Sequence, residues 1–378
     1  MALRRLVASD FNYILEKATN KLNVWGKQSI SLARKLVLVK SVMAALPVFM
    51  AAHSLVPMSI LKELDKTCRR FIWDKQGGIH GLHYVALDNL CKSWKEGGQG
   101  VNSVVNIASP LRTKFTWSLV KKEDSLLNKV LRAKYGIKIW ETSTHKNSST
   151  SLKIMSSGAQ FLHKITRWKI ASGKAINIME DVWILDKRLN RWPTFIAVGN
   201  FDFPPLESFL NNGVWNKVLL LEFFGKSLVE IITQILIYPE MGEDELELMY
   251  KFSGKSITAL ALSSNDKEIV EVDYGRWLKK IKLNSRVECF WWRLFNNAIP
   301  TNAFLMYRRL LGHDSCHRGC EGQENSEHVM VKCVKIQQIT GLLISWGFSV
   351  PNFSSSRDCK LNLECLEIEN GFIAKVYC

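Results

Sequence analysis

The chain has 378 residues, of which 47% are hydrophobic and 23% are charged. This composition excludes an intrinsically disordered protein, because it supplies enough apolar surface for folded cores, and the length fits two or three domains. The formal net charge is +16. Such a surplus favours anionic partners, above all nucleic acid and less often an acidic membrane surface, although a basic protein without such a partner is the alternative.

The positive charge is unevenly distributed along the chain. Residues 1–136 contain 22 Lys and Arg against 9 Asp and Glu, a net +13, whereas residues 201–275 contain 5 against 13, a net −8. Residues 277–333 are basic again, with 9 against 5 and a net +4. We therefore expect the first block to contain the surface that contacts a phosphate backbone.

The cysteine content and the first residues predict an intracellular protein, nuclear or cytoplasmic. The nine cysteines are an odd number, and no apolar core of a signal peptide follows Met1. Clustered cysteines in a reducing compartment indicate metal binding, which argues against a disulfide-rich secreted protein. The most apolar stretch, Ser41–Ala52, contains Pro47 and is too short for a bilayer span of roughly 20 residues, so we predict no membrane partner.

The first basic block predicts a series of amphipathic helices. Apolar spacing predicts helices over residues 11–26, 29–46 and 60–73, with Ser29 as the N-cap of the second, and more helix from about 107 to 135. Five basic residues lie off the apolar stripes of the second and third helices and should face water: Arg34, Lys35, Lys40, Arg69 and Arg70. They are our candidate contacts to RNA or DNA, and ordinary solvated helix faces are the alternative.

A glycine cluster, Gly97-Gly98-Gln99-Gly100, interrupts this block. A glycine-rich loop can cradle phosphates, but this one lacks the Walker spacing and the Lys-Ser/Thr ending. We therefore predict neither nucleotide binding nor another small-molecule substrate.

The middle of the chain predicts a loop followed by a β-hairpin. Residues 145–157 are rich in Ser and Thr and indicate a loop or linker. Alternation from Trp168 to Ile178 around Ser172-Gly173 predicts two paired strands. Glu180 and Asp181 follow, and adjacent residues on a strand point to opposite faces, so we assign them a structural role.

Two further helices are predicted at residues 284–298 and 301–311. Aromatic residues of the second could stack nucleic-acid bases. Aromatic residues at helical spacing are more often part of a core, which is the alternative.

The sharpest chemical pattern is Cys-x3-Cys-x7-His-x4-Cys, formed by Cys316, Cys320, His328 and Cys333. Three thiolates and one imidazole match a closed tetrahedral Zn²⁺ site with no open position for water, so we predict one structural zinc ion rather than a hydrolytic one. A helix start or short loop must aim His328 and Cys333 together. The remaining alternatives are four unrelated residues, or a ligand role for a neighbouring histidine in place of His328. The neighbouring histidines are His313 and His317. Three nearby glutamates could accept a hydrogen bond from the N–H of the ligand imidazole: Glu321, Glu324 and Glu327.

No catalytic pattern is evident. The sequence contains no paired aspartates of a polymerase palm, no Gly-x-Ser-x-Gly and no His-Glu-x-x-His, and we find no four-carboxylate ribonuclease H cluster on convincing strands. We therefore predict that the chain is not an enzyme.

Several segments, in their order along the chain, resemble the C-terminal half of plant non-LTR (LINE-type) retrotransposon reverse transcriptases. They extend over about residues 10–345 and comprise Leu22–Lys27, Ser31–Val42, Leu64–Trp73, Trp94–Gly100, Val130–Gly136, Gly173–Trp183, Trp277–Leu283 and Val287–Pro300. The resemblance implies thumb helices near the start of the chain. It also implies a reverse transcriptase zinc-binding domain whose ligands match the four residues of the Cys/His pattern.

The chain departs from this family in three respects. Three residues, rather than the usual two, separate Cys316 from Cys320, and Asn284-Ser-Arg286 stands where prolines are common. We also expect the endonuclease, fingers, palm and ribonuclease H domains to be missing. The resemblance thus implies a zinc-containing, nucleic-acid-binding remnant of a reverse transcriptase polyprotein. The alternatives are a non-binding remnant, an interaction module, or a fragment that is active only with the missing catalytic domains.

The predicted fold class is mainly α with small β-hairpin elements, a helical bundle followed by a small zinc-binding domain. We expect a basic thumb-like region at 1–140, a mixed α+β region with an acidic surface at 141–275, the zinc-binding domain at 276–345 and a tail at 346–378. The oligomeric state and the choice between RNA and DNA are left open.

Overall fold

The computed structural model describes residues 6–26, 30–43, 45–75, 81–136, 148–191, 203–264 and 278–378. Helices dominate these ranges, and the strands are short, as predicted. The helices are α1 (Asn12–Gly26), α2 (Leu32–Leu38), α3 (Val48–His53), α4 (Met58–Trp73), α5 (Leu87–Cys91), α6 (Val104–Val120), α7 (Leu126–Tyr135), α8 (Thr150–Leu162), α9 (Lys217–Phe223), α10 (Lys226–Thr233), α11 (Ile257–Ser263), α12 (Ser285–Phe295), α13 (Asn302–Tyr307), α14 (Val334–Ser345) and α15 (Ser356–Tyr377). The strands are β1 (Thr166–Lys169), β2 (Leu210–Asn211), β3 (Val214–Trp215) and β4 (Glu245–Leu248).

The chain divides into two compact units. The first comprises Met1–Phe49, Val56–Asn106 and Glu268–Cys378, and the second comprises Met50–Leu55 and Ile107–Lys267. Each unit combines stretches that are distant in sequence. The four consecutive domains expected from the sequence stay a prediction. Within the described ranges, no helix is long and apolar enough to cross a membrane.

The first unit is built around α1, α2 and α4. Both α1 and α4 bury the apolar face that their periodicity predicts. Helix α2 differs from its prediction. Ser31 is the N-cap, with its hydroxyl accepting from the Arg34 N–H, and α2 continues as a π-helical turn, Val39–Met43, instead of an α-helix to residue 46. The proposed cap Ser29 lies outside the described residues.

A buried carboxylate joins α4 to the start of α6. Asp65 accepts hydrogen bonds from the Ser103 hydroxyl (2.6 Å) and from the backbone N–H groups of Val104 (2.8 Å) and Val105 (3.4 Å). These N–H groups belong to the first turn of α6, which has no intrahelical acceptor for them and where the helix dipole favours a negative charge.

The glycine cluster is a packing element. Gly97 and Gly100 have φ values of 79° and 62°, which favour glycine, and a Cβ on Gly98 would lie 2.0 Å from the Lys92 carbonyl oxygen. The indole N–H of fully buried Trp292 donates to the Gly97 carbonyl at 2.8 Å. The backbone of the cluster is thus closely packed, and Trp292 of α12 contacts it directly.

In the second unit, the Ser/Thr-rich stretch is largely helical, and the loop prediction was wrong there. Ser149 caps α8 by accepting from the Leu152 N–H, and α8 buries Leu152, Met155, Ala159 and Leu162. Those residues repeat at three to four positions, which is the helical period that the hydroxyl-rich composition concealed. Residues 145–147 of the predicted loop lie outside the described ranges.

The predicted hairpin was also wrong. Strand β1 pairs antiparallel with the distant β4, with Trp168 opposite Leu246, and not with the residues around Ile178. The turn after β1 folds around Asp244. That carboxylate accepts from the backbone N–H groups of Ala171, Ser172, Gly173 and Ala175.

The core of the second unit is rich in aromatic residues. Trp183 and Trp215 stack with their ring centroids 5.9 Å apart, and β2 and β3 form a small antiparallel pair next to them. A buried guanidinium, Arg112, is 6% exposed and donates to the carbonyl oxygens of Ala51 and Ser54 at the end of α3. At least one basic residue of the first charge block is therefore used for folding.

The C-terminal part of the first unit contains α12 to α15. Helix α12 begins after its cap Asn284 and buries Trp291, Trp292 and Leu294. Helix α13 ends at Tyr307, earlier than predicted, because Arg309 adopts a left-handed conformation with φ of 57°. The core residues that this part buries are Leu278, Ile281, Trp291, Leu294, Met330, Val331, Cys359, Leu363 and Ala374.

Candidate metal centre

The structure brings the side chains of Cys316, Cys320, His328 and Cys333 together. One potential ligand atom from each residue lies within 4.8 Å of the others. Three of the four residues are buried and Cys320 is half-buried. In the described ranges, this is the only group of three or more His, Cys, Asp or Glu residues arranged to hold a metal ion.

A short hairpin positions the first two cysteines. Ser315 pairs with Gln323 in an antiparallel bridge, and the Cys316 N–H donates to the Gly322 carbonyl at 3.1 Å. Gly319, between the two cysteines, has φ of 82°, a conformation that costs glycine little. The three-residue spacing therefore fits a tight loop that turns both thiols to one side.

A π-helical turn positions the other two donors. It extends over His328–Lys332, and the Cys333 N–H donates to the His328 carbonyl at 2.8 Å. This hydrogen bond links residues five apart, as in a π-helix, and so suits the four-residue gap in the sequence pattern. The sequence required that the two residues be aimed together, and the wide turn is how the chain does it.

The distances fit zinc. Two sulfurs on a tetrahedral ion, each at about 2.3 Å from it, are about 3.8 Å apart. The Sγ atoms of Cys320 and Cys333 are 3.7 Å apart, far longer than the S–S bond of about 2.05 Å in a disulfide. The Nε2 atom of His328 is buried without a hydrogen-bond partner, which leaves it available as the fourth ligand. Four protein donors would close the coordination shell.

The surroundings of the two sulfurs affect their negative charge in opposite directions. The Val334 N–H lies 3.4 Å from the Cys320 Sγ, and the Arg318 guanidinium lies 3.9 Å from the Cys333 Sγ. Burial alone would raise the pKa of Cys333, but hydrogen bonds from the Lys335 N–H and from Arg318 outweigh it and lower that pKa. The pKa of Cys320 is raised, since burial and the neighbouring thiols outweigh the Val334 hydrogen bond. The Cys333 sulfur is therefore the one whose thiolate form the neighbouring hydrogen bonds favour.

The neighbouring acidic residues have other partners. Glu324 accepts from the Asn302 N–H at 3.2 Å, and Glu327 forms an ion pair with Lys332 at 2.7 Å. Glu321 is exposed. A carboxylate acceptor for His328 therefore remains a prediction.

The two spare histidines lie outside the donor group. The rings of His313 and His317 meet edge to face with centroids 5.5 Å apart, and His313 Nδ1 lies 3.0 Å from the Ser315 hydroxyl. Within the described ranges, the grouping of potential ligands contains His328 and neither of them.

The five candidate nucleic-acid contacts differ in accessibility. Arg34 is exposed, whereas Arg69 and Arg70 are half-buried on α4. Arg69 has a buried Nε without a hydrogen-bond partner, and Arg70 lies 3.7 Å from Glu63. The guanidinium groups of Arg34 and Arg70 thus reach solvent from helices whose apolar faces are packed in the core.

The two lysines take part in packing, which the sequence analysis did not anticipate. The Lys35 ammonium donates to the Asp74 carbonyl at the end of α4 and lies 5.5 Å from the Phe71 ring centroid. Burial lowers the pKa of Lys35, although Asp74 opposes the shift. Burial also lowers the pKa of Lys40, and the neighbouring ammonium of Lys279 lowers it further. Neither lysine fully faces water, because α2 packs against α4 and α12.

Comparison with known proteins supports the metal centre. Residues 253–339 match a family described as zinc-binding in reverse transcriptase, and this stretch contains all four donor residues. The resemblance seen in the sequence is thereby confirmed for these residues, and the match begins before the expected domain start at residue 276.

Two proteins of Arabidopsis thaliana are similar to the chain. One, named "Putative ribonuclease H protein", is 24% identical over 354 residues, which cover 87% of this chain and 55% of that protein. The other, named "Uncharacterized mitochondrial protein", is 24% identical over 146 residues, which cover 38% of this chain and 95% of that protein. The chain thus spans about half the length of the first relative.

Proposed function

We propose that the chain is a zinc-containing, nucleic-acid-binding part of a retrotransposon reverse transcriptase. The observation that carries the proposal is the convergence of three thiols and one imidazole at zinc-like distances, within residues that match a reverse transcriptase zinc-binding family. Zinc bound there by Cys316, Cys320, His328 and Cys333 would supply structural cross-linking and no open coordination position.

The protein's own residues around the centre connect three elements. The hairpin at Cys316–Gly322 is joined to α13, because the Asn302 side-chain amide donates to the Ser315 carbonyl at 2.6 Å. The π-helical turn leads directly into α14 through Cys333. Closure of the site would therefore fix the hairpin, α13 and α14 relative to one another inside the first unit.

Nucleic-acid binding is proposed from charge and accessibility. The first 136 residues have a net charge of +13, and Arg34 and Arg70 present guanidinium groups at the surface of packed helices. Guanidinium groups form paired hydrogen bonds with phosphate oxygens. Lys35, Lys40 and Arg69 are secondary candidates, since packing already uses part of each side chain.

We further propose that this part of the polyprotein binds rather than catalyses. Its candidate metal centre has four protein donors, so that no position remains to activate water. The activity named for the first Arabidopsis relative belongs to a longer protein, and we assign none of it to this chain. Reduced, metal-binding cysteines fit an intracellular location, nuclear or cytoplasmic.

The test is a salt series with zinc-loaded protein and two probes, a structured RNA and a DNA duplex. We expect the logarithm of the affinity to fall linearly with the logarithm of salt, by about 0.9 for each phosphate contact on a duplex. Arg34→Gln and Arg70→Gln should each weaken binding and make the slope shallower by about one contact. Lys255→Gln is the matched control, because Lys255 is exposed and lies in the acidic stretch of residues 201–275. Absence of binding at about 50 mM salt would refute the proposed function.

A further inference from the structure

The end of α13 presents an aromatic ring and two guanidinium groups to solvent. Tyr307 is 81% exposed, and Arg308 and Arg309 are exposed beside it. The other ring of this helix, Phe304, faces inward, with its centroid 5.3 Å from that of Tyr84. The structure therefore separates a core aromatic residue from one that has no packing role.

The two arginines are unpaired within the described chain. Neither the Arg308 nor the Arg309 side chain forms a hydrogen bond or an ion pair with another described residue. Both guanidinium groups are thus available to an anion from outside.

The backbone at Arg309 would suit glycine better than arginine. Its φ of 57° lies in the left-handed region, where a side chain is strained. The turn is closed by hydrogen bonds from the Arg309 N–H to Met306 and from the Leu310 N–H to Leu305, at 2.8 and 2.9 Å. Arg309 thus ends the helix in a conformation that leaves its side chain exposed to solvent.

The start of α13 is anchored to the hairpin of the candidate metal centre. Asn302, at the start of the helix, holds the Ser315 carbonyl, and the Ala303 N–H donates to the Glu324 carbonyl at 3.1 Å. Ser315 immediately precedes the first cysteine donor. The hairpin that carries Cys316 and Cys320 is therefore connected by hydrogen bonds to the short helix that ends at Tyr307.

We propose that Tyr307, Arg308 and Arg309 form a contact for single-stranded nucleic acid, with one unpaired base stacked on Tyr307 and the flanking phosphates on the two arginines. This proposal rests on the nucleic-acid binding proposed above and adds the substrate class. A projecting ring can cover the face of a base only where that face is unstacked, so a single strand fits this site better than a duplex.

The experiment uses zinc-loaded full chain and labelled single strands of about 12 nucleotides, one RNA and one DNA, with the corresponding duplexes for comparison. Tyr307→Ala should weaken single-strand binding about 5- to 150-fold, and Tyr307→Phe should retain it, because phenylalanine also stacks. Phe252→Ala is the matched control, since Phe252 is 92% exposed and lies in the acidic stretch of residues 201–275.

Arg309→Gly gives an independent readout that unfolding cannot explain. It removes the charge and relieves the strained backbone, so thermal stability should stay equal or rise while the salt slope for single strands falls by about 0.7. Arg309→Lys should restore most of the slope.

The outcomes separate the two proposals. If the wild-type protein binds no nucleic acid, the proposed function fails. If it binds with a steep salt dependence, but Tyr307→Ala and Arg309→Gly bind single strands as the wild type does, only the inference about α13 is overturned. If these variants bind only the single-stranded RNA, or only the single-stranded DNA, more weakly than the wild type does, the inference is supported and the affected probe is the nucleic acid that this site prefers.

Discussion

Loss of one cysteine donor should destabilise the first unit far more than loss of a cysteine elsewhere. In Cys333→Ser, a fully buried thiol that lies 3.7 Å from Cys320 is replaced by a poor zinc ligand. Cys365→Ser is the matched control, because Cys365 is exposed and lies outside the donor group. The two variants differ only in which sulfur is removed.

The magnitude follows from linkage between metal binding and folding. The donors already converge in the structure, so zinc should bind the folded state in preference to the unfolded one. Free zinc at 100 to 1,000 times its dissociation constant then adds about 2.7–4.1 kcal/mol. For a unit of roughly 200 residues, 1 kcal/mol corresponds to about 2–4 °C, which gives a shift of roughly 5–16 °C.

The assay is thermal unfolding followed by tryptophan fluorescence, with and without a chelator. We expect the wild type and Cys365→Ser to lose thermal stability when zinc is removed, and Cys333→Ser to be already destabilised and insensitive to the chelator. Amide hydrogen exchange should localise the loss to the hairpin, α13 and α14. Equal unfolding temperatures for both variants, with no response of the wild type to the chelator, would refute the reasoning.

Three further predictions concern the scaffold. Asp65→Ala should lower the free energy of unfolding, measured in urea, by about 2–4 kcal/mol, because it removes the charged hydrogen bonds that cap α6. The isosteric variant Asp65→Asn should lower it less. Equal losses for the two variants would show that the negative charge is unimportant. Trp292→Phe should cost about 1–3 kcal/mol by removing the hydrogen bond to Gly97, and an unchanged midpoint would contradict this role. Burial raises the pKa of Glu247, but its ion pair with Arg167 outweighs burial and lowers the pKa below 4.5. Above that pH, Glu247→Gln should therefore lower the free energy of unfolding by up to about 1 kcal/mol. The difference from wild type should vanish as the pH falls through the lowered pKa of the folded state. A difference that persists in acid would exclude the ion pair as its cause.

The sequence predicts the features that are determined by residues close to one another along the chain. Helices α1 and α4 follow from apolar spacing alone, because an amphipathic helix shows its buried face in its own sequence. The four metal donors also lie within a short stretch, so their residue types and spacing identified them before the geometry was known.

Long-range packing escaped the sequence analysis. Alternation identifies a strand such as β1 but not its partner, and β4 lies far along the chain. In the same way, periodicity placed Lys35 and Lys40 off the apolar stripe of α2. The partial burial of Lys35 comes from its contact with the end of α4, and Lys40 lies near charged residues of α12 and of the segment just before it. The π-helical turns were missed because apolar spacing does not distinguish a local widening of one turn from a regular α-helix.

The central claim is that a zinc centre supports nucleic-acid binding, and the most direct measurement is the affinity of the wild-type chain for one labelled single-stranded RNA before and after zinc removal. We predict salt-sensitive binding by the zinc-loaded protein, a clear loss of affinity after chelation, and recovery when zinc is restored. Identical affinities with and without zinc, or no binding by the zinc-loaded protein, would contradict the account.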